Sequence, residues 1–331
     1  MTCAAMMSMP LLLTYTSSFD YAGLYSRLDK GSYHVSNDTA NELAMMPLLE
    51  RILHELPNNK NTSAVLLGCG TCAALPRLHS VTHGNAHGME VSSSALVIAR
   101  ELGRAGTGCR EPPCLRMGSL MDIPWGDDSF DIAMSNDVLE HVHPMDVARS
   151  VTEITRVTKR IALLGIATSS SVRHGTELHL TRRNHEWWKA QFEGAGWISV
   201  TIPNEVWKLL WNKPSSPKLW NYRGTVCTDP DADVVNGKGC GVLFFAFAKV
   251  QEDVLAVKEA ANWLLHAKSR GSIMRHAAPR EARGKQRRSP VPSESLKLHS
   301  APSRLPRRQS TFPARRRRMA ARLSTRTRVA S

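Results

Sequence analysis

No stretch of this chain approaches eighteen consecutive apolar residues, which excludes a membrane-spanning helix on hydropathy alone. The opening Met1 to Phe19 is apolar and rich in Ser and Thr, yet it lacks both a basic start and an Arg-rich, acid-free pattern. It makes a poor signal or transit peptide. The seven cysteines have no regular spacing, so they read as thiols of a reducing compartment and not as a disulfide framework. Cytoplasm or nucleus is the expected location. Cys69 and Cys72 form one C-x-x-C pair, but no second pair follows at zinc spacing, and small residues in a tight loop account for it. No metal site is expected.

Acidic residues are nearly missing from the last fifth of the chain. From Ala267 onward there are nineteen Lys or Arg and two Asp or Glu, a charge of +17, whereas the preceding part carries −3. A nearly neutral body argues against a nucleic-acid groove within it. The tail, with Arg315 to Arg318 and little apolar material, cannot bury enough surface to fold by itself, and could bind nucleic acid or another polyanion through counterion release. The expected organisation is an N-terminal arm over 1–37, one α/β domain over 38–266 and a disordered basic tail over 267–331. A length of 331 residues accommodates this.

What is present centres on Ser63 to Cys72. Ala64 to Leu67 is a short apolar run suited to a buried parallel strand, and Gly68 and Gly70 remove side chains where the backbone must turn. Such a turn feeds a helix, whose N-terminus offers N–H groups to a nucleotide-like ligand. Ala86 to Val91 reads as a second strand, placing the Glu90 carboxylate beside the glycine loop, where it can accept from two ribose hydroxyls. Either a nicotinamide dinucleotide or S-adenosylmethionine fits this pattern.

Strands and helices then alternate. Leu43, Met46, Leu49, Ile52, Leu53 and Leu56 mark a helical face, with Asn37-Asp38 before it as an N-cap. Cys114 to Met117 is a third strand, Ser129 to Asn136 a fourth and Arg160 to Ile166 a fifth. Parallel crossovers need covering elements, so helices are expected on both faces of the sheet. Trp197 to Ile202 and Gly241 to Val250 have no convincing helix between them and are expected to pair antiparallel at the sheet edge. The aromatics of the intervening insert, Trp207, Trp211, Trp220 and Tyr222, are read as anchors to the body, and Val254 to His266 as a closing helix.

Val65 to Thr71, Gly88 to Ser92, Ile123 to Trp125 with Ser129 to Asp131, and Asn136 to Val142 together resemble the type 11 domain of class I S-adenosylmethionine-dependent methyltransferases, over about residues 61–250. The resemblance implies a Rossmann-like, mostly parallel seven-stranded sheet whose last strand is antiparallel. It implies S-adenosyl-L-methionine as cofactor, with Gly68, Cys69 and Gly70 at its methionine part, Glu90 at the ribose, Ser119 and Leu120 at the adenine, and Ser135 and Asn136 beside the sulfonium. Leu67 and Ser119 stand where the family often has acids, so weaker cofactor binding is expected.

Methyl transfer from a sulfonium relies mainly on alignment, and only the nucleophile needs activation. His141, close behind the fourth strand, is the first choice as base, against a structural hydrogen-bonding role. Asp137 is assigned to helix capping and His143 to a loop. Arg173, His174 and His179 could meet a polar acceptor, although solvated side chains are the simpler reading. The acceptor is unidentified, a small molecule being favoured. The competing readings are a non-catalytic binding protein on a degenerate fold and a nicotinamide oxidoreductase.

Overall fold

The computed structural model describes residues 19–29, 40–57, 61–104, 114–211 and 242–269, all within one compact unit, Met1–Pro279. The expected Asn37-Asp38 cap, Trp220 and Tyr222, and nearly all of the basic tail lie outside the described residues.

Five strands, β1 (Ala64–Leu67), β2 (Ala86–Glu90), β3 (Leu115–Met117), β4 (Phe130–Asn136) and β5 (Thr158–Ala167), pair parallel in the order β3-β2-β1-β4-β5. Short hairpin strands β6 (Val172–Arg173) and β7 (Thr176–Glu177) stand apart from the main sheet, on the segment that carries Arg173 and His174. The sheet is completed by β8 (Ile198–Ser199) and β9 (Val242–Ala248); β9 lies between β5 and β8 and runs antiparallel to both. The architecture is thus α/β, a Rossmann-like seven-stranded sheet with its last strand reversed.

Alternation along the strands divides the apolar residues between two cores. Ala64, Leu66, Ile132, Met134, Ile161, Leu163, Ala246 and Ala248 face one, and Val65, Leu67, Ala133, Ala162, Leu164, Ile166, Phe245 and Phe247 face the other. On the first side pack α2 (Ala40–Glu55), α3 (Leu75–Val81), α4 (Ser93–Glu101), α7 (Asn204–Trp211) and α8 (Gln251–Ser269). On the second lie α1 (Tyr21–Asp29), α5 (Val147–Val157) and α6 (His185–Gly194). Ser92 caps α4 by accepting from Ala95 N, and Asn184 caps α6 by accepting from Trp187 N. Phe192 of α6 stacks on Phe247 with ring centroids 4.7 Å apart.

Three sequence readings need correction. The N-terminal arm contains a docked helix, because Tyr21, Tyr25 and Leu28 recur every three to four residues and bury one face of α1. A helix does occur between β8 and β9: Val206, Trp207 and Leu210 of α7 are buried, and Trp207 stacks on Phe244 at 5.0 Å. The closing helix runs on to Ser269, three residues past His266. No helix among the described residues is long and apolar enough to cross a membrane.

Candidate functional site

At the carboxyl end of β1 the chain makes a turn that only a few residue types tolerate. Gly68 and Gly70 adopt φ of +71° and +53°. A methyl group on Gly68 would come within 2.5 Å of Val138, so space as well as backbone conformation demands glycine there. The N–H groups of Gly68 and Cys69 both donate to Met89 O, at 2.8 and 2.9 Å, which fastens the loop to the end of β2.

Glu90 sits where this fastening puts it. Its Oε2 accepts from Gly70 N and its Oε1 from Ser92 N, each at 2.8 Å, and the residue is 4% exposed. An ionised carboxylate has about four acceptor sites, so the two backbone bonds orient it and leave capacity for ribose hydroxyls. The juxtaposition of Glu90 with Gly68 and Gly70, expected from spacing, is present.

Cys69 and Cys72 differ from expectation. The loop turns back at Cys72, φ +54°, bringing the two Cα atoms to 4.6 Å, and the sulfurs are joined in a disulfide. Cys114 is disulfide-bonded as well. The reading of all cysteines as thiols is therefore overturned for these three. Irregular spacing hid a bond that the turn creates.

Ser119 and Leu120 follow β3, whose Met117 is paired with Glu90. Gly118 N donates to Glu90 O at 3.0 Å, and a methyl group on Gly118 would meet Pro124 at 2.6 Å and Met89 at 2.8 Å. Ser119 Oγ accepts from Met121 N, while Leu120 is buried. Further along, Glu153 Oε2 accepts from Ile123 N, and Arg156 donates to Glu153, Asp127, Trp125 O and Ile123 O. Burial works to raise the Glu153 pKa, but the Arg156 hydrogen bond and charge prevail and hold it down.

Ser135 and Asn136 end β4, both buried. Ser135 Oγ donates to Leu67 O at 3.1 Å, tying this strand end to the base of the glycine loop. Asn136 lies over Gly165, where any Cβ would approach its Oδ1 to 1.8 Å, and that Oδ1 has no hydrogen-bond partner among the described residues. A buried acceptor in need of a donor, a half-used carboxylate and a glycine-lined turn suit an adenosyl ligand with an ammonium group.

Beyond Asn136 the chain is tightly turned. Asp137 has φ +53°, a conformation in which Asp is enriched among non-glycine residues. It does not cap the short 3₁₀ helix Leu139–His141: Val138 occupies that position and no side chain caps it. His143, assigned to a loop, caps the next turn by accepting from Met145 N.

His141 is buried and tied on two sides. Its Nδ1 lies 2.6 Å from Tyr25 Oη and 3.1 Å from Leu178 O. The expectation that Arg173, His174 and His179 behave alike fails. Arg173 and His174 are exposed on the β6-β7 hairpin, whereas His179 is 7% exposed and meets His141 edge to face with centroids 4.6 Å apart. Burial lowers the His179 pKa. Burial would raise Glu177, but the Ser170 hydroxyl and the N–H groups of Ser171 and His179 hold it at about 2. Glu140 is wholly buried, and desolvation together with Asp137 pushes its pKa well above the carboxylate range.

Tyr25 and Glu140 were not singled out by sequence reasoning, and His179 was named only as a residue that could meet a polar acceptor. The helical repeat of Tyr21 and Tyr25 was a signal for the first. Glu140 stands beside His141 without any chemical spacing of its own, and His179 is brought in only by the fold.

Residues 65–164 match the methyltransferase domain family. No curated protein matches the chain. Among solved structures it resembles the complex of the Haloferax volcanii Trm112 methyltransferase activator with a methyltransferase, at 18% identity and a TM-score of 0.44, covering 70% of this chain and 99% of that one. It also resembles an S-adenosylmethionine-dependent methyltransferase from Mesorhizobium loti, at 15% identity and a TM-score of 0.40, covering 62% and 97%. A third is the magnesium protoporphyrin IX methyltransferase from Synechocystis with bound SAH, at 9% identity and a TM-score of 0.41, covering 71% and 90%. The domain match, over β1 to β5, includes the glycine loop, Glu90 and the end of β4. Residues 65–164 thus match the methyltransferase domain family, whose cofactor is S-adenosylmethionine.

Proposed function

We propose that this protein transfers a methyl group from S-adenosyl-L-methionine to a small-molecule acceptor. In this reading the methionine part of the cofactor lies along Gly68, Cys69 and Gly70, its ribose on Glu90 and its adenine against Ser119 and Leu120. Ser135 and Asn136 border the sulfonium, and His141 acts on the acceptor. The observation that carries the reading is the Glu90 carboxylate held on Gly70 N at 2.8 Å, at the mouth of a positive-φ turn. The reaction asks for little more than alignment of nucleophile, methyl carbon and sulfur in a dry site. Buried Ser135 and Asn136 supply dryness at the carboxyl end of β4, and His141 follows within five residues of Asn136.

A non-catalytic binding protein on the same fold is the second reading, favoured by Leu67 and Ser119 at positions where acids would otherwise assist. The basic tail, in either case, is proposed to contact nucleic acid or another polyanion. Calorimetry with S-adenosylmethionine, S-adenosylhomocysteine and NAD separates the alternatives. Saturable binding of the first two, abolished in Gly70→Arg, is the expected result. Binding of NAD alone would sink the methyltransferase reading, and cofactor binding without turnover across an acceptor panel would favour the non-catalytic one.

A further inference from the structure

We infer that Glu140, His141 and His179 form a binding site for a divalent transition-metal cation of the zinc class, on the acceptor side of the cofactor. One ligand-type atom from each of the three lies within 4.8 Å of the other two. No other feature of the molecule gathers two imidazoles and a carboxylate among the described residues.

The state of Glu140 points to a missing positive partner. Its Oε1 accepts from Ala167 N at 3.1 Å, but its Oε2, equally buried, has no partner among the described residues. A carboxylate oxygen enclosed without a donor is strongly unfavourable, and buried charges are otherwise paired or bound to metal. The histidines are set up to supply the rest of the shell. His179 Nδ1 faces Ser169 O at 2.5 Å, and a carbonyl can only accept, so the ring proton sits on Nδ1 and Nε2 carries the lone pair. His141 Nδ1 faces Leu178 O at 3.1 Å and Tyr25 Oη at 2.6 Å, so its outer nitrogen too is turned away from the backbone partner. A backbone carbonyl behind each imidazole is the usual support for a metal-ligating histidine.

The three residues are also held on fixed supports. Glu140 and His141 belong to the 3₁₀ turn after β4, and Thr181 N donates to Glu140 O at 2.9 Å while Thr181 Oγ1 donates to Val142 O at 2.7 Å. The segment bearing His179 is thereby tied to the turn bearing the other two. Ligand atoms around a tetrahedral zinc are about 3.4 Å apart, so the cluster closes by small side-chain rotations. Three protein ligands of this kind leave a coordination position open, the pattern of a catalytic and not a structural site.

What the cation does rests on the proposed methyl transfer. The open position would take the oxygen or sulfur of an alcohol, phenol or thiol acceptor, whose proton departs to solvent as its pKa falls. The bound anion then attacks the methyl carbon; the new O–C or S–C bond forms as the carbon–sulfonium bond breaks, and S-adenosylhomocysteine leaves neutral at sulfur. A ligated His141 activates the nucleophile through the cation and does not remove the proton itself. This goes against the sequence reading, which expects no metal.

The test uses the full chain stripped with chelator and titrated calorimetrically with Zn²⁺, with Co²⁺ absorption as a second probe of ligand geometry. One equivalent should bind, and Glu140→Gln and His179→Ala should each weaken it at least about tenfold, while Cys69→Ser/Cys72→Ser should not. Melting temperatures establish that the variants are folded. Should Glu140→Gln fail to fold, His179→Ala and the Co²⁺ spectrum decide. An absence of binding, or binding that survives both substitutions, overturns the site and leaves Glu140 a buried neutral acid. S-adenosylhomocysteine affinity of the stripped protein is measured in parallel, so that loss of the cation site and loss of the cofactor reading are told apart.

Discussion

His79 shows how one side chain can tie stability to pH. It is buried on α3, and burial, only partly opposed by the Gly84 backbone, lowers its pKa below the ordinary value of 6.5. In the unfolded chain the imidazole gains a proton near pH 6.5, while in the folded protein it resists until lower pH. The unfolded state therefore binds more protons between the two values, and stability falls as pH drops through that window. His79→Leu, which cannot titrate, should flatten the decline of melting temperature between about pH 7 and the folded value. An unchanged slope in thermal melts across that range would remove His79 as its cause. At this scale the cofactor loop was legible because its residues are constrained locally. Gly68 and Gly70 answer to backbone sign, and Glu90 to the strand spacing that follows. His179 was named only as a residue that could meet a polar acceptor, since nothing near it in the chain pairs it with His141; only the return of the segment after β5 brings the two together. The disulfide of Cys69 and Cys72 was visible as a spacing but was decided by the turn at Cys72.

Among the elements, α1 has the most direct bearing on the site. Tyr21 Oη donates to Asp146 Oδ2 at 2.8 Å and accepts from His143 N at 2.7 Å, and Tyr25 Oη reaches His141. Two hydrogen bonds at Tyr21, one of them to a carboxylate buried to 2% exposure, pin the helix over the turn that follows β4. Tyr21→Phe keeps the ring and removes both bonds, so a cost of about 1–3 kcal/mol is expected, with faster hydrogen exchange confined to the α1 amides. Unaltered protection of α1 would show that packing alone docks it. This element was half legible: the four-residue spacing of Tyr21 and Tyr25 is in the sequence, but it was not read as a helical face because polar residues surround it. The same limit applied to α7, whose eight residues carry Val206, Trp207 and Leu210 yet stand next to a long polar insert. Alternation of long apolar strands with helical repeats gave the five parallel strands without difficulty. The short β6-β7 hairpin, two residues on each side, lacks the length at which period-two patterning can be recognised.

For the molecule as a whole, charge separates along the chain more sharply than structure reveals. The part before Ala267 carries −3 and the part from Ala267 onward +17. A slightly acidic body has little reason to approach a polyanion, whereas nineteen cationic side chains release condensed counterions on doing so. The proposed tail interaction is therefore expected to be electrostatic, sequence-tolerant and separable from cofactor binding. A chain ending at Ser269, the last residue of α8, retains only Lys268 of those nineteen. It should bind S-adenosylhomocysteine as the full chain does and lose at least about tenfold in affinity for a single-stranded RNA or heparin at low salt. For the full chain, the logarithm of the affinity should fall linearly with the logarithm of salt concentration, with a slope set by the number of phosphates neutralised. Fluorescence anisotropy over a salt series measures both. Equal affinities for the two chains, or an affinity indifferent to salt, would move the polyanion contact away from the tail and require a basic surface on the body, which its net charge does not favour.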